Sequence, residues 1–236
     1  MKWLFNSPIA HRGLHTKNVC ENSLNAFAQA IEHSYGIELD VQLTQDGKVV
    51  VFHDLNTFRL TNKDLEVDKT EYAELKILSL GNNQEHIPLL KEVLDLVQGK
   101  VPLLIELKVF EYNGELEKAV SKLLDKYHGE YAVCSFNHQS LKWFKNHSPQ
   151  IPRGLLFGEE RKKVSLRDFF NFIYYFDATK PNFISLNKSL LKSKIVRFCT
   201  MIKMPIIIWT VNSAQEQKKA LKKANAVIFE GFMPSN

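Results

Sequence analysis

Gly36-Ile37-Glu38-Leu39-Asp40-Val41 is followed by Gln42-Leu43-Thr44-Gln45-Asp46-Gly47 and then by Lys48-Val49-Val50-Val51-Phe52-His53. The first and last runs are short, apolar and rich in β-branched residues, which predicts strands. The link between them is too short for a helical crossover. Asp46-Gly47 is a hairpin turn signal. The two runs are therefore expected to pair at least partly antiparallel. Glu38 and Asp40, two residues apart on one strand, project to the same face. His53 folds back beside them.

Outward from this stretch, further strand-like runs occur at 7–11, 101–108, 131–136, 154–157, 183–186, 205–211 and 226–229. Continuous apolar runs suit parallel strands buried on both faces. Helical patterns separate most of them, at 23–33, 89–97, 115–127, 139–147, 166–175, 190–203 and 214–224. Such alternation predicts an α/β fold of βαβ units, and eight of them close a TIM (β/α)8 barrel. Nine runs are one too many, and the extra strand is expected at 36–53. The polar stretch at about 54–99 reads as an insertion after the third strand, over the barrel mouth. One domain covering 1–236 is expected.

The chain has 236 residues, 44% of them hydrophobic and 24% charged, with a formal net charge of +5. This suits a protein with a sizeable core and no need of disulfides. Lysines are dispersed over 142–145, 161–163, 188–194 and 218–223. Dispersal argues for solvated helix faces and against a nucleic-acid surface. Cys20, Cys134 and Cys199 are far apart and lack zinc-site spacing, so a reducing compartment is expected. The apolar stretch at the N-terminus is too short for a signal peptide, and no run reaches membrane-spanning length. Cytoplasmic residence without stable membrane insertion is the expectation; a homodimer is left open. Phe169-Phe170-Asn171-Phe172-Ile173-Tyr174-Tyr175-Phe176 reads as a helix packed on the barrel or at a subunit contact, ahead of a lipid surface.

The residues able to do chemistry cluster at strand ends. Ile9-Ala10-His11-Arg12-Gly13 opens the series and Leu104-Ile105-Glu106-Leu107-Lys108 extends it. Glu38, Asp40 and Glu106 form a hard, oxygen-rich set suited to Mg²⁺ or Ca²⁺, or else they pair with Arg12 and Lys108. His11 and His53 titrate near neutrality and suit proton transfer. Arg12 offers a planar fork for phosphate oxygens. Trp209 and Phe136 read as walls of the mouth or as core aromatics. The other histidines receive no role. Nucleotide-binding loops, a Gly-x-Ser-x-Gly elbow and paired CxxC motifs are absent from the sequence.

The ordered series His11-Arg12-Gly13, Glu21-Asn22-Ser23, Glu38-x-Asp40-Val41, Thr44-x-Asp46-Gly47, His53-Asp54, Arg59-x-Thr61, Ile87-Pro88-Leu89, Glu106-Leu107-Lys108, Ser135-Phe136 and Trp209-Thr210-Val211-Asn212 resembles the glycerophosphodiester phosphodiesterase family. The resemblance runs over nearly the whole chain and implies a TIM barrel of the phospholipase-C-like type. It implies metal-dependent hydrolysis of glycerophosphodiesters to an alcohol and sn-glycerol 3-phosphate. By position, Glu38, Asp40 and Glu106 would be metal ligands, and His11 and His53 the acid/base pair. Arg12 and Lys108 would hold the phosphate; Glu21 and Asn22 would complete the polar shell.

Two positions depart from the family pattern. Cys20 stands where a proline is usual. The last strand reads Ala226-Val227-Ile228-Phe229-Glu230-Gly231 instead of a Gly-Ile-x-Thr-Asp-like run. Three matters stay open: which histidine is the base, whether water or the neighbouring glycerol hydroxyl attacks, and which headgroup leaves. The alternatives are a lysophospholipase D or sphingomyelinase D-like enzyme and a non-catalytic phosphodiester-binding barrel. A divalent-metal sugar isomerase fits Arg12 and Lys108 less well.

Overall fold

In a computed structural model, residues 1–81, 85–158 and 165–234 are described. Its strands are β1 (Ile9–Ala10), β2 (Gly36–Leu43), β3 (Val49–Val51), β4 (Leu103–Leu107), β5 (Tyr131–Ser135), β6 (Arg153–Phe157), β7 (Phe183–Asn187), β8 (Ile206–Val211) and β9 (Ala226–Phe229). Eight of them, all except β3, run parallel and close into a barrel. β1 pairs with β2 on one side and with β9 on the other. The chain is a TIM barrel.

β3 is the extra strand, antiparallel to β2 through Val41↔Val51 and Leu43↔Val49. The link turns at Gly47, which has φ +73° and donates to the Thr44 carbonyl at 3.0 Å. Thr44 Oγ1 donates to Asp46 Oδ1 at 2.6 Å, closing the turn from inside. From β3 the chain runs through α2 (Phe58–Thr61) and α3 (Tyr72–Lys76) before α4 (Leu90–Val97) returns to the helix ring. Val50, Phe52, Val67, Tyr72, Leu75, Leu80 and Ile87 form a small apolar cluster beneath this excursion.

Alternation along the strands separates two surfaces. Ile37, Leu39 and Val41 of β2 face outward and pack with α1 (Leu24–Glu32), α4 and α5 (Glu115–Leu124). Ile9, Leu104, Ala132, Leu156, Phe183, Ile207 and Ile228 come from seven other strands and meet in the barrel interior, with Leu4 packed against them. β2 adds no apolar side chain to that cluster; its inward positions include Glu38 and Asp40, both buried. A wholly apolar interior is thus replaced on one side by acids, which costs stability unless they are compensated.

The remaining helices are α6 (His138–His147), α7 (Leu166–Thr179), α8 (Lys194–Met201) and α9 (Ala214–Ala220). α7 carries the aromatic run. Phe172 is buried, and Phe169, Ile173, Tyr175 and Phe176 pack against the outer face of the barrel, as expected for a helix on the barrel. Phe170 and Tyr174 are exposed. Among the described residues no helix is long and apolar enough to cross a membrane. Of the lysine-bearing segments, 161–163 lies outside the described residues.

Candidate active site

The inward acids converge because of strand register. Asp40 of β2 lies opposite Glu106 of β4, and Glu38 sits one pleat below Asp40 on the same face. Ligand oxygens of Glu38, Asp40 and Glu106 all lie within 4.8 Å of one another. Burial, reinforced by Asp40 and Glu106, pushes the Glu38 pKa well up. Burial and the charge of Asp40 raise Glu106 to about 7. Asp40 goes the other way: burial opposes its ionisation, but Arg12, His53 and Lys108 hold it below the usual carboxylate range.

The pairing with cations read from the sequence is present alongside this convergence. Arg12 Nε lies 3.2 Å from Asp40 Oδ2, and Lys108 Nζ lies 2.9 Å from Glu106 Oε1 and 3.9 Å from Asp40 Oδ1. Three carboxyl groups thus face two side-chain cations in a site where burial, and then mutual repulsion, raises Glu38 and Glu106. The donor set is all oxygen and hard, which fits a divalent cation.

Arg12 is fixed by backbone as well as side chain. Its φ of +55° is in the left-handed region, as is that of Asn22. This turns the Arg12 amide onto Glu38 Oε2 at 3.0 Å, while Nη1 donates to Glu21 Oε1 at 2.7 Å. The Asn22 amide donates to the Arg12 carbonyl at 2.9 Å, and Asn22 Nδ2 donates to Asp40 Oδ2 at 2.9 Å. Gly13, at φ +81°, lets this turn press on α1: a Cβ there would lie 2.8 Å from the Ala26 Cβ. Glu21 and Asn22 therefore brace the arginine and an acid.

The two histidines flank the acids. His53 Nδ1 lies 2.7 Å from Asp54 Oδ1. Burial lowers the His53 pKa against the opposing pull of Asp40. His11 Nδ1 lies 2.5 Å from Glu230 Oε2, at the end of β9. Both histidines, Arg12, Lys108, Glu21, Glu38 and Glu106 line one cleft of about 540 Å³. Phe136 and Trp209 form its apolar wall, with ring centroids 5.6 Å apart in an edge-to-face arrangement. The candidate site residues read from the sequence are thus in or directly behind one cleft at the C-terminal ends of the strands, where barrels of this type hold their chemistry.

Three residues named in the sequence without a site role have one in the structure or line the cleft. Glu230, read as the altered end of the last strand, is the partner of His11. It is an acid at the end of an apolar run, the same signal that marked Glu106. His15, given no role, also lines the cleft. Arg59, from α2, donates through Nε to Asp54 Oδ2 at 2.5 Å and through Nη2 to Glu21 Oε1 at 2.6 Å. It links the carboxylate behind His53 to the carboxylate behind Arg12. Burial and Glu21 push the Cys20 thiol up to about 11, which disfavours its thiolate.

A parallel barrel with acids, imidazoles and cations gathered at its mouth has the build of a TIM-barrel enzyme with a polar, metal-compatible site. Comparison with known proteins narrows it. The model of the glycerophosphoryl diester phosphodiesterase family matches residues 11–230. A glycerophosphodiester phosphodiesterase of Caldanaerobacter subterraneus subsp. tengcongensis is 34% identical, over 91% of this chain and 89% of that protein. A phosphodiesterase of Oleispira antarctica, solved in complex with the product sn-glycerol-3-phosphate, superposes with a TM-score of 0.83. It is 25% identical and the match covers 97% of this chain and 94% of that one. The glycerophosphodiester phosphodiesterase of Thermotoga maritima is 28% identical with a TM-score of 0.76, covering 95% and 94%. The chain belongs to the glycerophosphoryl diester phosphodiesterase family. It is a phosphoric diester hydrolase acting on glycerophosphodiesters.

Proposed function

We propose that the chain releases sn-glycerol 3-phosphate and a free alcohol from deacylated phospholipid headgroups, using Mg²⁺ or Ca²⁺ held by Glu38, Asp40 and Glu106. The observation that carries this reading is the convergence of those three carboxyl groups, Glu38 and Asp40 buried and Glu106 partly so, at one cleft with His11 and His53. When bound, the cation supplies charge stabilisation to a phosphate oxygen as negative charge builds in the transition state.

The chain's own residues supply the rest. Arg12 and Lys108 hold phosphate oxygens and screen developing charge, and both keep their protons because neighbouring carboxylates outweigh the cost of burial, Asp40, Glu21 and Glu38 for Arg12 and Glu106 and Asp40 for Lys108. His53, its pKa lowered by burial, is neutral near pH 7 and suited to accept a proton from the nucleophile. His11, backed by the ionised Glu230, is suited to deliver one to the leaving alkoxide. Glu21 and Asn22 keep Arg12 aimed, and Trp209 and Phe136 wall the apolar side of the glycerol. We read 1–236 as one domain, with the stretch at about 54–99 inserted after β3 and supplying Arg59 to the site.

A headgroup panel tests the reading. Glycerophosphocholine, -ethanolamine, -glycerol and -inositol, with lysophosphatidylcholine beside them, are incubated with metal-replete enzyme. Release of sn-glycerol 3-phosphate from at least one of the four deacylated diesters is expected. Turnover of lysophosphatidylcholine alone would favour a lysophospholipase D, and turnover of none would overturn the proposal.

A further inference from the structure

We propose that His11, His15 and Glu230 form a second metal site in the cleft, selective for Zn²⁺, and that its occupation inhibits the enzyme. The inference deepens the reading above, because inhibition rests on His11 acting in proton transfer.

Ligand atoms of the three residues lie within 4.8 Å of one another. The set is distinct from the carboxylate cluster in position and chemistry. Two imidazoles and one carboxylate suit zinc, whereas three carboxylates suit Mg²⁺ or Ca²⁺. The two histidines are four residues apart on one loop, and the carboxylate arrives from the end of β9.

A second observation points to a ligand. His15 Nε2 is a buried nitrogen with no hydrogen-bond partner. It is aimed at Glu230 Oε2 from 3.7 Å, beyond hydrogen-bond reach. Zinc–ligand bonds of roughly 2.1 Å at tetrahedral angles put ligand atoms about 3.4 Å apart. The His15–Glu230 pair already has nearly that spacing. The His11–Glu230 contact, at 2.5 Å, opens by about 1 Å to admit the ion. Glu230 is oriented from behind, since Asn212 Nδ2 donates to its Oε1 at 3.1 Å and leaves Oε2 for the ion.

The inhibition follows from the nitrogen used. His11 meets Glu230 through Nδ1. A neutral imidazole has one basic lone pair; with zinc on Nδ1, the proton is fixed on Nε2. His11 then can neither accept a proton at Nε2 nor cycle between its acid and base forms. Proton transfer through it stops while the carboxylate cluster stays intact.

The test reads binding separately from turnover. Zinc affinity is measured by competition with a chromophoric chelator, using purified enzyme with Glu106→Gln so that the carboxylate cluster does not compete. One equivalent should bind. Adding His15→Ala should weaken it about 100-fold. In otherwise wild-type enzyme with saturating Mg²⁺, zinc should inhibit, and His15→Ala, compared with its own zinc-free rate, should raise the inhibitory concentration by a similar factor. Equal zinc affinity in the Glu106→Gln enzyme with and without His15 would overturn the site. Intact, His15-dependent binding without inhibition would overturn its regulatory effect. Absence of turnover in any form, with His15-dependent binding retained, would instead overturn the proton-transfer reading of His11.

Discussion

Arg59 Nε donates to Asp54 Oδ2 at 2.5 Å, and the same guanidinium reaches Glu21 from its two other nitrogens, at 2.6 and 3.0 Å. Asp54 holds His53, and Glu21 holds Arg12. One half-exposed side chain from the segment after β3 thus bridges the supports of two groups on different strands. Arg59→Ala should lower kcat by about 100-fold, the scale set by a misplacement of roughly 1 Å. As a positioning residue it should leave cation affinity unchanged, while the alkaline and acid limbs of the pH–rate profile move. Steady-state kinetics across pH checks both. An unchanged profile with full kcat would remove Arg59 from the account.

His11→Ala and His53→Ala should each cost about two to four orders of magnitude in kcat, the usual contribution of a general acid or base. Neither should alter the fold, since both side chains stand at the barrel mouth and not in its packed layers. Single-turnover rates with circular dichroism as a control measure this. Near-full activity in either variant would defeat that residue's assignment.

Acid stability should depend on Glu21. Burial opposes its ionisation, but hydrogen bonds from Arg59 and then the charge of Arg12 hold its pKa at about 2. A depressed carboxylate contributes stability that is fully present above its unfolded pKa, about 4.3, and is lost as pH falls through the folded value. Stability should therefore decline between roughly pH 5 and pH 2. Glu21→Gln should flatten that decline, as read from urea midpoints at a series of pH values. An identical slope in wild type and variant would contradict the ion-pair account.

Gly13→Ala should destabilise the chain by about 1–3 kcal/mol, from a positive φ and from overpacking. The added Cβ would meet Ala26 side chain and backbone at 2.8 and 2.9 Å. Because the same turn aims Arg12, the Michaelis constant should rise as well. Denaturant unfolding and substrate titration report the two effects separately.

The barrel was largely legible because each strand is a continuous apolar run and each link carries helical periodicity. The antiparallel β3 was legible for another reason: six residues ending in Asp46-Gly47 cannot carry a crossover. Glu38, Asp40 and Glu106 were found from alternation and from acids closing apolar runs. Glu230 satisfies the same rule and was missed because it was read as a departure from the family's last strand. His15 and Arg59 sit on a loop and a short helix without periodicity. Their contacts span 215 and 38 residues of chain and depend on closure of the barrel, which local pattern does not encode. Among the described residues, some of the lysines that looked like solvated faces have partners: Lys188 pairs with Glu216 at 2.9 Å beside the mouth, and Lys145 Nζ donates to the Ala178 carbonyl at 2.7 Å.

The most direct test of the central claim is cation dependence of glycerophosphodiester hydrolysis. Enzyme stripped with excess EDTA and assayed on the best substrate of the headgroup panel should release no sn-glycerol 3-phosphate, and added Mg²⁺ or Ca²⁺ should restore turnover. Glu38→Gln and Glu106→Gln should need far more cation to reach the same rate. Full turnover in excess EDTA would contradict the account, whatever the histidine variants do.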